Sequence, residues 1–256
     1  MIKFSVIKDK IHSYRFLFEE LVKRDFTKKY KRTALGMLWS VIGPLATLLV
    51  MALVFTQFFG RRMEHYIIYP FCGNLVFNYF KESTLTGMTS LYDNASIFSK
   101  INVPKYMFLL SKNISALINF GINFVLLFIF MLADGVQFSW KVIFLIFPIG
   151  CLIGFNLGCG LILSALYMMF RDVMYLYDIF TLLIMYLSAI FYDISAYSME
   201  IQYLFYLNPL YVYIRYFRQI ILEQTIPSPI LHLLAIADAA AVLIIGMIIY
   251  KKKNYK

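Results

Sequence analysis

Five stretches of this chain are apolar for longer than a soluble fold of its size can bury: Ala34–Phe59, Met107–Ala133, Val142–Met169, Tyr175–Phe191 and Pro229–Tyr250. A helix rises 1.5 Å per residue, so about 20 mostly apolar residues cross the ~30 Å hydrocarbon layer of a bilayer. A sixth run, Tyr66–Phe80, is shorter and carries Asn74 and Asn78. Counted as a span that is tilted or packed on other helices, it brings the total to six. Composition points the same way, since 61% of the residues are hydrophobic and 15% are charged. A soluble domain has about 45–50% and about 25%. A disordered chain, a secreted disulfide scaffold and a conventional cytosolic enzyme are thereby excluded. The expected fold is all-α, a polytopic membrane protein with residues 1–256 forming one transmembrane domain.

The formal net charge of +10 is explained by where the cations fall. With six spans both ends and the loop around residues 81–112 lie on one side, and of the 24 Lys and Arg only Arg61, Arg62, Lys141, Arg215 and Arg218 fall on the other. Short loops rich in Lys and Arg stay in the cytoplasm, so both termini are expected there. The basic excess is then a signature of membrane insertion, and no nucleic-acid partner is implied. Cys72, Cys151 and Cys159 sit in apolar runs without a CxxC pair and read as small buried hydrophobes. No cleavable signal peptide is expected, because the first apolar run begins near Ala34, after a long charged segment.

Two regions do not fit plain spans. In Tyr14–Tyr30, the residues Tyr14, Leu17, Phe18, Leu21, Val22, Phe26 and Tyr30 recur at helical spacing, with Arg15, Glu19, Glu20, Lys23 and Arg24 on other faces. A basic amphipathic helix just before a span lies in the membrane interface or packs on a partner protein, and the two are compatible. In Ser195–Pro229, Asn208-Pro209 splits an apolar stretch into two pieces too short to cross. Two readings are open here: a re-entrant hairpin dipping in from the outer side, or a pair of helices lying flat on it.

No glycine is followed by lysine, so the chain has no phosphate-binding loop of its own. HExxH, GxSxG and metal-ligand spacings are absent, and His12, His65 and His232 fall in different segments. No catalytic or metal-binding residues are expected. Asp238, central in the last span, must face other helices, a cavity or a partner, or be protonated; a structural hydrogen bond and a proton relay are its two readings. Gly150, Gly154 and Gly158 form a stripe that lets another backbone approach. An outer-side aromatic cluster from Phe191 to Phe217, interleaved with Arg215 and Arg218, suits either sugar rings or an interfacial belt.

The block Lys29-Tyr30-Lys31-Arg32-Thr33-Ala34-Leu35-Gly36-Met37-Leu38-Trp39, followed by Pro44-Leu45, resembles the KYK-x-[ST]-x-LG-x-LW…PL signature of type-2 ABC permeases that export polysaccharides. The resemblance continues through Asn94–Asn113, Phe170-Arg171-Asp172-Val173 and Leu207-Asn208-Pro209-Leu210, in order along nearly the whole chain. Two positions depart from the family pattern: Phe77 stands where a Trp often follows Gly73, and Ala189 stands where a Pro is common.

The resemblance implies a homodimer carrying two copies of a separate ABC ATPase, which would hold the ATP and Mg that this chain has no loop for. It implies a coupling segment at residues 93–106, with Asn94, Ser96, Ser99, Lys100 and Pro104 meeting the ATPase and Arg171 and Asp172 on the same face. It also implies that residues 14–30 form an interface helix and residues 195–229 a re-entrant hairpin. Along the channel and outer gate it places Phe77, Phe191, Tyr192, Tyr203, Tyr206, Asn208, Pro209, Tyr211 and Arg215. The implied cargo is a lipid-linked polysaccharide of the O-antigen, teichoic acid, capsule or cell-wall rhamnan kind, moved across the bacterial cytoplasmic membrane. Other readings are a type-2 permease for small lipids or drugs, a proton-coupled secondary transporter, and a membrane scaffold for glycan synthesis.

Overall fold

The computed structural model describes residues 2–31, 33, 35–58, 65, 67–100 and 103–252. The expectations placed on Arg32, Ala34, Phe59, Arg61, Arg62, Tyr66, Lys253 and Lys256 lie outside the described residues. Among those described, the chain is helical with no strand. Its helices are α1 (Ile2–Tyr30), α2 (Trp39–Phe58), α3 (Ile68–Asp93), α4 (Ala95–Phe98), α5 (Tyr106–Ala133), α6 (Ile146–Met169), α7 (Val173–Leu187), α8 (Met199–Phe205), α9 (Pro209–Ile221) and α10 (Pro229–Lys252). A 3-10 segment, Trp140–Leu145, leads into α6. Among the described residues, three helices are long and apolar enough to cross a membrane: α5, α6 with its leading turn, and α10.

The weakest apolar run becomes the centre of the molecule. α3 packs along both α5 and α6, and Phe71, Cys72, Leu75, Val76, Tyr79 and Phe80 lie in the main core. It also continues thirteen residues past Phe80, where the sequence suggests a loop. The drop in hydropathy that suggests the loop comes from Lys81, Glu82, Ser83 and Thr84. Glu82 accepts from Lys29 and Asn119, Ser83 accepts from Asn113, and Thr84 donates to the Phe80 carbonyl. Polar side chains in an apolar setting are tolerated when their partners are built in, so the central helix is the polar one. The long apolar helices turn Val125, Ile129, Ile146, Leu233 and Ile244 outward instead.

Other boundaries shift for local reasons. α7 stops at Leu187, short of Phe191, because the chain turns at Ala189 with φ of 50°. The aromatic-rich stretch divides into α8, with seven residues, and α9, with thirteen. Asn208 separates them: its side-chain oxygen accepts from the Leu210 amide at 3.0 Å, and Pro209 occupies the first turn, where its missing N–H costs nothing. α9 is enclosed by the bundle. Phe217 meets Phe120 and Phe124, Tyr213 packs on Phe155 and donates to the Ala235 carbonyl, and Tyr216 hydrogen-bonds His232.

The glycine stripe narrows to one position. A methyl on Gly158 would lie 2.6 Å from the backbone of Val242 and Leu243, and one on Gly246 would lie 2.7 Å from the Gly158 carbonyl oxygen. Gly154 only touches Ala239, and nothing lies within 4 Å of Gly150. α6 and α10 therefore cross most closely at Gly158 and Gly246.

Candidate functional sites at the two ends of the bundle

Helices α3, α6 and α10 end together, where Leu91, Leu109, Leu161 and Tyr250 form a small cluster. The turn holding Asn94, Ser96, Ser99, Lys100 and Pro104 lies at this end. Ser96, Ser99 and Lys100 are exposed, and Pro104 is half-buried. Asn94 is buried instead, with its amide donating to the Ser90 carbonyl at 2.7 Å. Arg171 and Asp172 are exposed, and the Arg171 guanidinium sits 4.5 Å above the ring of Tyr92, the residue two before Asn94. Two segments distant in the chain thus share one surface.

α1 is joined to this turn by charge. Arg24 donates to the Asn94 side-chain oxygen at 2.9 Å and to Asp25 at 2.8 Å. Asp25 is buried, with one oxygen 3.0 Å from the Lys112 ammonium and the other accepting from Ser111 at 3.1 Å. A buried carboxylate is stable only with such partners. The apolar side of α1 is also used internally. Leu21 clusters with Val103, Met107 and Phe108, and Tyr14, Leu17 and Phe18 pack around them. Phe16 remains exposed.

Beside this network lies a cavity of about 960 Å³ between α1, α2, α3 and α5. Its α5 wall is a polar stripe of Lys112, Ser115, Asn119 and Asn123, with Asn78, Lys81 and Glu82 of α3 facing it. The three-and-four spacing of the α5 residues is legible in the sequence, but apolar neighbours on both sides mask it. Without the α3 partners, nothing marks the stripe as the wall of a cavity.

At the other end, the sequence-predicted residues divide by burial. Phe77 and Tyr211 are buried, Phe191, Tyr192, Tyr206 and Arg215 are partly buried, and Tyr203 is 71% exposed. Tyr211 packs on Phe205 and Tyr206, and Tyr192 on Tyr197 and Phe205. Arg215 is ion-paired with Glu223. Besides capping α9, Asn208 donates to the Leu187 carbonyl at 3.1 Å and the Ser188 hydroxyl at 2.9 Å, which fastens α9 to the end of α7.

The residue that organises this end is Arg218, which the sequence presents only as an outer-side cation. It is 2% exposed and has no carboxylate partner among the described residues. Its guanidinium donates to the carbonyls of Ala189 and Ile190 at 2.9 Å each and of Tyr69 at 3.3 Å, and lies 3.5 Å from the Tyr69 ring centroid. The Ala189 and Ile190 carbonyls follow the C-terminal end of α7, the negative end of a helix, and an aromatic face attracts a cation. Gly73 makes room, since a methyl there would sit 3.0 Å from Ile190 and 3.3 Å from Arg218. In α10, Oδ2 of Asp238 is buried without a hydrogen-bond partner among the described residues.

With the helical bundle and its two ends established, comparison with known proteins decides the family. The model of the ABC-2 type transporter family matches residues 17–222, from α1 through α9. The chain belongs to the ABC-2 type transporter family. It is 26% identical to the O-antigen export system permease protein RfbA of Myxococcus xanthus over 233 residues, 89% of each chain. It is 24% identical to the protein of the same name in Klebsiella pneumoniae over 246 residues, 94% of each chain. This ABC-2 chain is accordingly an integral membrane protein, and its long apolar helices are the part that meets lipid.

Proposed function

We propose that the protein is the permease subunit of an ABC exporter that carries a lipid-linked polysaccharide of the O-antigen class across the bacterial cytoplasmic membrane. The observation that carries this reading is the near end-to-end match to permeases named for O-antigen export, within a chain that belongs to the ABC-2 family. Six spans (α2, α3, α5, α6, α7 and α10) would place both termini in the cytoplasm. The α8–α9 pair would then be the re-entrant hairpin on the outer side, because α9 is too short to cross and is enclosed by α3 and α10. Two copies of the chain would line the path, with the aromatic residues around Tyr192, Tyr203, Tyr206 and Tyr211 at its outer mouth.

The ATPase would dock on the end that carries Asn94. Exposed Ser96, Ser99 and Lys100 with the neighbouring Arg171 and Asp172 offer it a polar surface, and buried Asn94 ties that surface to α1 and α3. Movement of the turn would therefore reach the bundle through Arg24, Asp25 and Lys112 rather than through the exposed residues alone.

The deciding experiment is a mild-detergent pull-down of the tagged protein from its native membrane. The expected result is an ABC ATPase at one copy per permease. Its absence, under conditions that preserve other ABC complexes, overturns the exporter reading.

A further inference from the structure

The cavity between α1, α2, α3 and α5 carries an imbalance of charge that the fold does not consume. Four lysines, Lys28, Lys29, Lys81 and Lys112, line it against two carboxylates, Asp25 and Glu82. Each carboxylate is already engaged: Lys29 lies 2.8 Å from Glu82, and Lys112 lies 3.0 Å from Asp25. Lys28 and Lys81 are left, both exposed and without a carboxylate partner among the described residues. They come from different helices and line one concavity that also presents the amides of Asn78 and Asn123 and the indole of Trp39.

Two free ammonium groups, amide donors and an aromatic face suit a phosphate- or diphosphate-bearing headgroup, which binds through several charge-assisted hydrogen bonds. At about 960 Å³ the space is of the size that small-molecule sites occupy. A second feature separates a membrane amphiphile from a free anion. On the adjoining face of α1 and α5 runs a mostly apolar groove, where Phe18, Val22, Phe26, Met37, Ile114 and Ile118 are joined by Glu19, Lys23 and Thr27. A cationic cavity and an apolar groove bounded by the same two helices match a molecule with an anionic head and a hydrocarbon tail.

We propose that this cavity binds the phosphoryl headgroup of a membrane amphiphile, with Lys28 and Lys81 as its principal cations. The inference rests on the exporter reading in one respect only, the identification of that amphiphile with the lipid-linked cargo.

Trp39 offers a direct readout, because the chain has two tryptophans and Trp140→Phe leaves Trp39 alone. The protein would be placed in phosphatidylcholine nanodiscs and titrated with farnesyl diphosphate while Trp39 emission is followed. The expected result is a saturable change, weakened at least tenfold by Lys28→Gln with Lys81→Gln and retained in Lys141→Gln. Inorganic pyrophosphate is expected to need at least tenfold higher concentration. Lys28→Arg with Lys81→Arg should keep binding, and an unchanged melting temperature of the Gln variant would show that the fold is intact. No saturable change, or a response indifferent to the two lysines, overturns the site. Equal binding of inorganic pyrophosphate overturns the amphiphile, and displacement of the probe by phosphatidylglycerol at equal mole fraction overturns the cargo. These outcomes are separate from the pull-down: a chain that holds its ATPase but fails to bind the probe refutes this inference alone.

Discussion

Arg218 and Ala189 show how much single residues decide at the Asn208 end of the bundle. The Arg218 guanidinium reaches three carbonyls that belong to α3 and to the turn after α7. A lysine in its place has one compact ammonium and cannot span them, so Arg218→Lys is not conservative here. Leaving buried carbonyls unpartnered costs about 1–3 kcal/mol each before any loss of the Tyr69 contact. Arg218→Lys should therefore lower the detergent melting temperature by several degrees, read by size-exclusion after heating; an unchanged value would refute the bridging role. Ala189 stands where a proline is common in the family that the sequence resembles, yet its φ is 50° and its carbonyl faces Arg218. Proline fixes φ near −65°, whereas glycine takes positive φ freely. Ala189→Pro should fail to accumulate as folded protein while Ala189→Gly melts at or above the parent, and the reverse order would refute a left-handed turn at Ala189.

Among the elements, α6 and α10 depend on a crossing that tolerates no side chain. A Cβ on Gly158 would meet backbone at 2.6 Å, and backbone cannot step aside as a flexible side chain can. Overpacking of this kind typically costs about 1–3 kcal/mol. Gly158→Ala should accordingly lower thermal stability in detergent, whereas Gly150→Ala, which meets nothing within 4 Å, should leave it unchanged; equal effects would refute the crossing point. The sequence shows that small residues share a face on this helix, but not which of the three a neighbour uses. The same limit explains the other elements. α5, α6 and α10 are legible because each holds an apolar run long enough to cross a bilayer, the polar stripe of α5 notwithstanding, and α9 because Asn208-Pro209 marks its start. α3 is half-legible, since the polar residues after Phe80 look like a loop until Lys29, Asn113 and Asn119 are brought against them. The buried role of Arg218 is hidden for a related reason: an arginine among tyrosines reads as an interfacial cation until the carbonyls of Ala189 and Ile190 close around it.

At the scale of the whole molecule, the distribution of charge between the two ends bears on orientation. Lys100, Lys105, Arg171, Lys251 and Lys252 lie at the end where α3, α6 and α10 finish. At the opposite end are Lys141, Arg215 and Arg218, and of these Arg215 is paired with Glu223 and Arg218 is enclosed by carbonyls. Lysine and arginine in short flanking segments are retained on the cytoplasmic side, so the Asn94 end should face the cytoplasm, where an ATPase would dock. Single cysteines test this after Cys72, Cys151 and Cys159 are changed to alanine. Exposed Lys100 and Glu200 lie at opposite ends, and a membrane-impermeant maleimide on intact cells should label Glu200→Cys but not Lys100→Cys. Permeabilising the cells should expose both. Labelling of Lys100→Cys in intact cells would invert the protein, place the cationic cavity on the outer side and remove the surface proposed for the ATPase.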